Sequence, residues 1–257
     1  MTDAKRPAHA VGWREGGRLF WWYQAQLDDM PVSGGTSQTR VGVASAQPWH
    51  GIMTSNSHDI IVIGASAGGV GALCTVTAGL PRDLAAAIFV VMHIPAWNES
   101  SLPAILTRCG GLGAVHPMSG DPIQHRRIYV APPDQHLLIN SGDRVELWRG
   151  PKENNVRPSI NALFRSAAVA YGSRVVGVIL TGALEDGATG LWWVKRMGGL
   201  VVVQDPAEAE FGQMPQMALN HVPADHVAPS SGVGSILTGL VRGASRLSSE
   251  PGQGFSK

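Results

Sequence analysis

From about residue 57 to residue 242 the sequence keeps a rhythm, in which apolar runs of strand length alternate with longer amphipathic stretches. The strand-length runs fall near 59–63, 87–92, 127–130, 175–180 and 200–203, and helical periodicity covers about 69–79, 101–109, 159–171, 188–197 and 232–242. Strands separated by helices reach one another by crossovers, which gives βαβ units and a parallel sheet covered on both faces. One segment breaks the pattern. HLLINSGDRVELW sets two short β-type runs around Asn140, Ser141, Gly142 and Asp143, which suits an antiparallel hairpin. The expected fold is a three-layer, doubly wound α/β domain over 57–242, with a mostly parallel sheet and one antiparallel hairpin.

The flanks do not share the rhythm. Residues 1–56 hold Trp13, Trp21, Trp22 and Trp49, sustain no periodic pattern, and include the linker-like PVSGGTSQTR; they are expected to be a flexible extension and not a domain. Met53 is followed by a short polar lead into the first strand, so a biological start at Met53 is one reading of this extension. Residues 243–257, GASRLSSEPGQGFSK, have the Gly, Ser and Pro content of a flexible tail.

Composition narrows the partners. A net charge of +1 with scattered Lys and Arg leaves no electrostatic footprint for nucleic acid or an anionic membrane surface. No run approaches the ~18 apolar residues of a membrane span, and the N-terminus lacks a signal-peptide core. Cys74 and Cys109 are not in C-x-x-C spacing and fall in helical segments, which predicts free, buried thiols in a reducing compartment and a cytoplasmic protein.

The chemistry gathers where strands end. In DIIVIGASAGG (59–69), Gly64, Ser66 and Gly68 form G-x-S-x-G, the turn of serine hydrolases, while the same glycines come close to the dinucleotide fingerprint. A dinucleotide site wants an acid at the end of the second strand, about twenty residues on. His93 stands there, and the nearest acid, Asp83, precedes that strand. Ligands of an open parallel sheet collect at the carboxyl ends of its strands, and three such ends carry Ser66, His93 and Asp186. A serine hydroxyl needs a base, and that base needs a carboxylate to hold its tautomer. Alone, each residue also suits a bland role as helix cap, structural hydrogen-bonder or turn former; together they predict nucleophilic acyl transfer. The amide of Ala67, after the nucleophile and at a helix start, is a candidate oxyanion donor. His116, His136, His221 and His226 lack metal-ligand spacing, so neither a metal nor a cofactor is expected.

The segments IGASAGG, VVMHIP, IYVAPPDQHLL, RPSINALFRSAA, VVGVILTGALEDGATGL and VVVQDPAEAEFGQMPQMAL, in this order, make residues 58–241 resemble the catalytic domain of the chemotaxis protein-glutamate methylesterases, the CheB-type esterases. The resemblance implies hydrolysis of glutamate γ-methyl esters on cytoplasmic helices of methyl-accepting chemoreceptors, with release of methanol, and deamidation of certain receptor glutamines. It puts the family's triad on Ser66, His93 and Asp186, the residues that the strand ends selected. It adds the Ala183 amide as a second oxyanion donor and Arg157 as a substrate contact, although Pro158 as the first residue of a helix also accounts for that block. Many members have Thr in place of Ala67 and Met in place of Ala183, which leaves the backbone donors intact. Full-length members carry a phosphorylatable receiver domain upstream, and residues 1–56 lack the pattern of one; the expectation is a free-standing esterase whose basal activity needs no phosphodonor, with any control supplied by a separate partner in trans. Two rivals remain at this level: a catalytically idle binding or regulatory module of the same fold, and an esterase with a non-receptor substrate.

Overall fold

The computed structural model describes residues 58–94 and 100–247. The expected extension over 1–56, with its Met53 start, and the end of the expected tail lie outside the described residues. Nine strands and six α-helices follow in chain order: β1 (Ile60–Ala65), α1 (Gly69–Ala78), β2 (Ala87–Met92), α2 (Leu102–Cys109), β3 (Gly113–Val115), β4 (Arg127–Val130), β5 (His136–Asn140), β6 (Arg144–Trp148), α3 (Ile160–Tyr171), β7 (Val175–Ile179), α4 (Ala188–Arg196), β8 (Leu200–Gln204), α5 (Gln213–His221), β9 (His226–Ala228) and α6 (Ser230–Leu247).

Seven strands form one parallel sheet in the order β3-β4-β2-β1-β7-β8-β9. IIVIGA and AIFVVM are apolar without alternation because both faces of these central strands are covered. Successive side chains serve opposite faces. Ile60 and Val62 pack with Leu163 and Phe164 of α3, Leu191 and Val194 of α4 and Met214 of α5. Ile61 and Ile63 pack with Leu73 and Val76 of α1, Leu106 of α2 and Leu237 of α6. The result is the expected three-layer, doubly wound domain. β5 and β6 make the expected hairpin as a separate two-stranded sheet, paired from His136↔Trp148 to Asn140↔Arg144 and tied to α3 where the Ile139 N–H donates to Ser166 Oγ.

Chain order places the site. From β1 the chain winds outward through β2 to β4, returns to β7 on the other side of β1, and continues to β8 and β9. The winding reverses between β1 and β7, so the crevice for a ligand opens at the carboxyl ends of these two strands.

The structure departs from the sequence reading at a few points. β3, β9 and α5 were not expected, and α6 continues past 242 to Leu247. Cys74 and Cys109 form a disulfide, with Cα atoms 5.2 Å apart, which corrects the expectation of free thiols. Spacing in the sequence does not show that α1 and α2 pack side by side, and that long-range contact brings the two sulfurs within bonding reach. Among the described residues no helix is long and apolar enough to cross a membrane.

Candidate active site

Ser66 stands in the turn between β1 and α1. Gly68 caps α1 in the left-handed region, at φ 71, with no side-chain cap bond, a conformation that glycine adopts without penalty. Ser66 is therefore not the helix cap, and its hydroxyl turns to His93. Backbone ties fix both residues: the Ser66 N–H donates to Thr181 O at 3.0 Å, beyond β7, and the His93 N–H donates to Ala65 O at 3.3 Å, at the end of β1.

One imidazole joins the other two groups. His93 Nδ1 lies 3.1 Å from Ser66 Oγ, and His93 Nε2 lies 2.9 Å from Asp186 Oδ2. An ionised carboxylate only accepts, so the proton belongs on Nε2 and Nδ1 keeps its lone pair toward the serine hydroxyl. The His93 side chain is 17% exposed and that of Asp186 3%, so the base reaches solvent while the carboxylate behind it does not.

Asp186 is held by the start of α3. Its Oδ2 accepts the Ile160 N–H at 2.7 Å, and its Oδ1 accepts from Ser159 Oγ at 2.9 Å, Asn154 Nδ2 at 3.2 Å and the Asn161 N–H at 3.3 Å. The carboxylate thus caps a helix to which it does not belong, where free N–H groups and the helix dipole favour negative charge. The favour is returned across the interface: Asn161 Oδ1 accepts the Gly187 and Gly190 N–H groups at the start of α4. Gly64 permits this approach, since a Cβ there would sit 2.4 Å from Ile160 Cγ2.

Behind Ser159 the buried His136 accepts the Ser159 N–H on Nδ1 and donates from Nε2 to Pro151 O. Burial lowers its pKa, so the ring stays neutral. A two-pronged contact between Arg165 and Glu153 anchors the turn that presents Asn154; burial pulls the guanidinium down to about 10, still charged at neutral pH.

Both amides expected to face an oxyanion lie next to carbonyls that are already tied. Ser66 O accepts from the Gly69 N–H, and Gly182 O accepts from the Met214 N–H. In a trans peptide the N–H points opposite to the C=O, so the Ala67 and Ala183 N–H groups are turned away from these partners. Neither donates a hydrogen bond among the described residues. Arg157, expected as a substrate contact, is engaged within the chain: its Nε and Nη2 donate to Asp134 Oδ1, and its Nη1 donates to Gly150 O. That hydrogen bond to Arg157 is the largest cause holding the Asp134 carboxyl below its usual range. Pro158 follows a cis peptide and precedes Ser159, the N-cap of α3, so it is not the first residue of the helix as the sequence suggested. The sequence reading also missed Asn154, Ser159, Asn161 and His136; Ser159 and Asn161 lie in the RPSINALF block, where they read as a helix start.

The family model for CheB methylesterase matches residues 61–237. A Leptospira interrogans protein, provisionally designated protein-glutamate methylesterase/protein-glutamine glutaminase, is 39% identical over 171 residues, covering 66% of this chain and 89% of that protein. Proteins of the same designation are 32% identical in Symbiobacterium thermophilum and, designated number 2, 35% identical in Methanosarcina mazei; the matches cover 71% and 72% of this chain but 50% and 52% of those proteins. The chain therefore spans about half the length of these two. The crystal structure of the Thermotoga maritima CheB methylesterase catalytic domain superposes with a TM-score of 0.69 at 33% identity, covering 71% of this chain and 98% of that one.

Proposed function

We propose that this chain, which belongs to the CheB methylesterase family, hydrolyses glutamate γ-methyl esters with Ser66 as nucleophile, His93 as base and Asp186 as the group that holds the base. Its class is carboxylic ester hydrolase, and CheB methylesterases act on methyl-accepting chemoreceptors generally. The observation that carries the assignment of residues is the single imidazole within hydrogen-bond reach of both Ser66 Oγ and Asp186 Oδ2.

In the first step Ser66 Oγ attacks the ester carbonyl carbon while its proton passes to His93 Nδ1. The carbonyl oxygen becomes an oxyanion, and the Ala67 and Ala183 N–H groups, which donate to no other group among the described residues, are its proposed donors. His93 then returns the proton to the leaving methoxide oxygen, and methanol departs from the acyl-enzyme. Water enters, loses a proton to His93 and attacks the acyl carbon; the serine leaves reprotonated and the product is a glutamate carboxylate. Asp186 stays ionised throughout and stabilises the imidazolium. Arg157 acts here by position, clamping Asp134 to Gly150, and a chemoreceptor is the proposed substrate protein. Methanol release from methylated chemoreceptor, measured beside an unrelated carboxyl-methylated protein, tests the substrate. Release from the receptor alone is expected; equal release from both would remove the receptor assignment while leaving the esterase.

A further inference from the structure

From the Ser66 turn, hydrogen bonds run through Thr181, Gln204 and Glu208 to the start of α6. Thr181 is the hub. Its O accepts the Ser66 N–H, its Oγ1 donates to Ala67 O at 3.1 Å and accepts the Phe211 N–H at 2.8 Å, and its N–H donates to Gln204 Oε1 at 2.7 Å. Gln204, the last residue of β8, is 2% exposed. Its Nε2 donates to Glu208 Oε2 at 2.7 Å, and Glu208 accepts in addition the Ser230 N–H at 3.0 Å and Ser230 Oγ at 2.9 Å. Burial pushes the Glu208 carboxyl up, but the bonds from Gln204 and Ser230 outweigh it and hold the group below its ordinary range. A carboxylate has no proton to give, so the amide of Gln204 has one orientation: NH₂ toward Glu208, oxygen toward Thr181.

We propose that Gln204 is a positioning residue for ester hydrolysis: oriented by Glu208, it fixes the Thr181 peptide, and so holds Ser66 and the Ala183 N–H in register. The inference rests on Ser66 being the nucleophile. Thr181 O receives the Ser66 N–H, and the N–H of that same peptide, Gly182's, donates to Phe211 O, one peptide before the Ala183 amide. A shift at Thr181 therefore moves nucleophile and oxyanion donor relative to each other, and misplacement of about 1 Å costs on the order of 10²-fold. A group that merely satisfied a buried N–H would change stability and leave the rate of the folded enzyme alone.

The test labels Ser66 in the full chain with a fluorophosphonate, whose attack uses the same hydroxyl and oxyanion donors but no receptor. Gln204→Met keeps the shape and removes both hydrogen bonds; labelling of the folded variant should slow roughly 10- to 100-fold. Gln204→Glu separates position from packing. Protonated, the new carboxyl repeats the pattern of accepting from Thr181 and donating to Glu208; ionised, it faces the Glu208 carboxylate across a single hydrogen-bond distance. Glu208 and Glu210 are the charged groups lining this pocket, with Thr75 of α1 and Ser230 of α6 beside them. The labelling rate of Gln204→Glu relative to wild type should thus be low near pH 8 and recover to within about threefold near pH 6. If Gln204→Met does not fold, Glu208→Gln decides at the surface: by freeing the amide to turn over it should slow labelling at least about threefold. Wild-type rates in Gln204→Met or Glu208→Gln, or equal impairment of Gln204→Glu at both pH values, overturn the proposal. Wild type unlabelled at Ser66 overturns the nucleophile assignment itself, a separate result.

Discussion

Replacing Asp186 by Asn separates the charge of this carboxylate from its geometry. The Asn side chain can sit in two ways. With its NH₂ toward His93 it would oppose the Ile160 N–H, which stands 2.7 Å from Asp186 Oδ2, donor against donor in a buried site. With its oxygen there, it still accepts from His93 and Ile160; Ser159 and Asn154 can turn to accept from the NH₂, and the longer Asn161 contact at 3.3 Å carries the conflict. The second orientation wins. It preserves the imidazole tautomer, so Asp186→Asn should lose the stabilisation of the imidazolium and not the base. At an effective dielectric near 20, two charges about 4 Å apart interact by about 4 kcal/mol, an upper bound worth roughly 10³-fold in rate. The expected fall in kcat is about 10²- to 10³-fold, smaller than the ~10⁴-fold that follows a wrong tautomer, with stability lowered by about 1–2 kcal/mol. Asp186→Ala instead leaves the buried Ile160 and Asn161 N–H groups unpaired, at about 1–3 kcal/mol each. Methanol release and denaturant melts on both variants decide it. A kcat within about fivefold of wild type in Asp186→Asn, or an Asp186→Ala no less stable than Asp186→Asn, would show that the Asp186 carboxylate does not play these two parts.

Further outcomes follow from the same network. Burial holds His136 below its ordinary value of 6.5, so below that pH the unfolded chain binds more protons and stability falls with pH; pH-dependent melts of His136→Gln, compared with wild type, should lack this component. The comparison matters because Glu153, pushed up by burial to about 7 from 4.5, contributes with opposite sign, its stabilisation fading as pH rises between these values. A Cβ on Gly182 would lie 2.6 Å from Met214 Cε and 2.9 Å from Ser66 Cβ. The Met side chain can yield and Ser66 cannot without moving, so Gly182→Ala should slow fluorophosphonate labelling about tenfold or more while the protein stays folded. The Cys74–Cys109 bridge spans a sequence separation of 35; Cys74→Ser should lower oxidised-state stability by about 3–4 kcal/mol on the chain-entropy account, read by denaturant melts, with methanol release per folded enzyme unchanged.

The legible part of the sequence was the part written in periodicity and at strand ends. Continuous apolar runs such as IIVIGA and AIFVVM announced interior parallel strands, and the residues just beyond three of them meet in one place. What stayed hidden depends on packing. Ser159 and Asn161 look like an ordinary helix start until α3 is laid against the loop after β7, and Asn154 approaches Asp186 only because the turn before α3 folds back. Strands of three residues, β3 and β9, are too short to show a period. α5 carries Pro215 in its first turn, where no intrahelical partner is lost. Cys74 and Cys109 became a pair only through the packing of α1 on α2, which no sequence spacing displays.

Every step proposed for this site depends on the Ser66 hydroxyl performing the attack on the ester. Methanol released from methylated chemoreceptor by the full chain, wild type beside Ser66→Ala at equal folded concentration, tests this most directly. Loss of about 10³-fold or more is the expected result; release by the variant within about tenfold of wild type would contradict it.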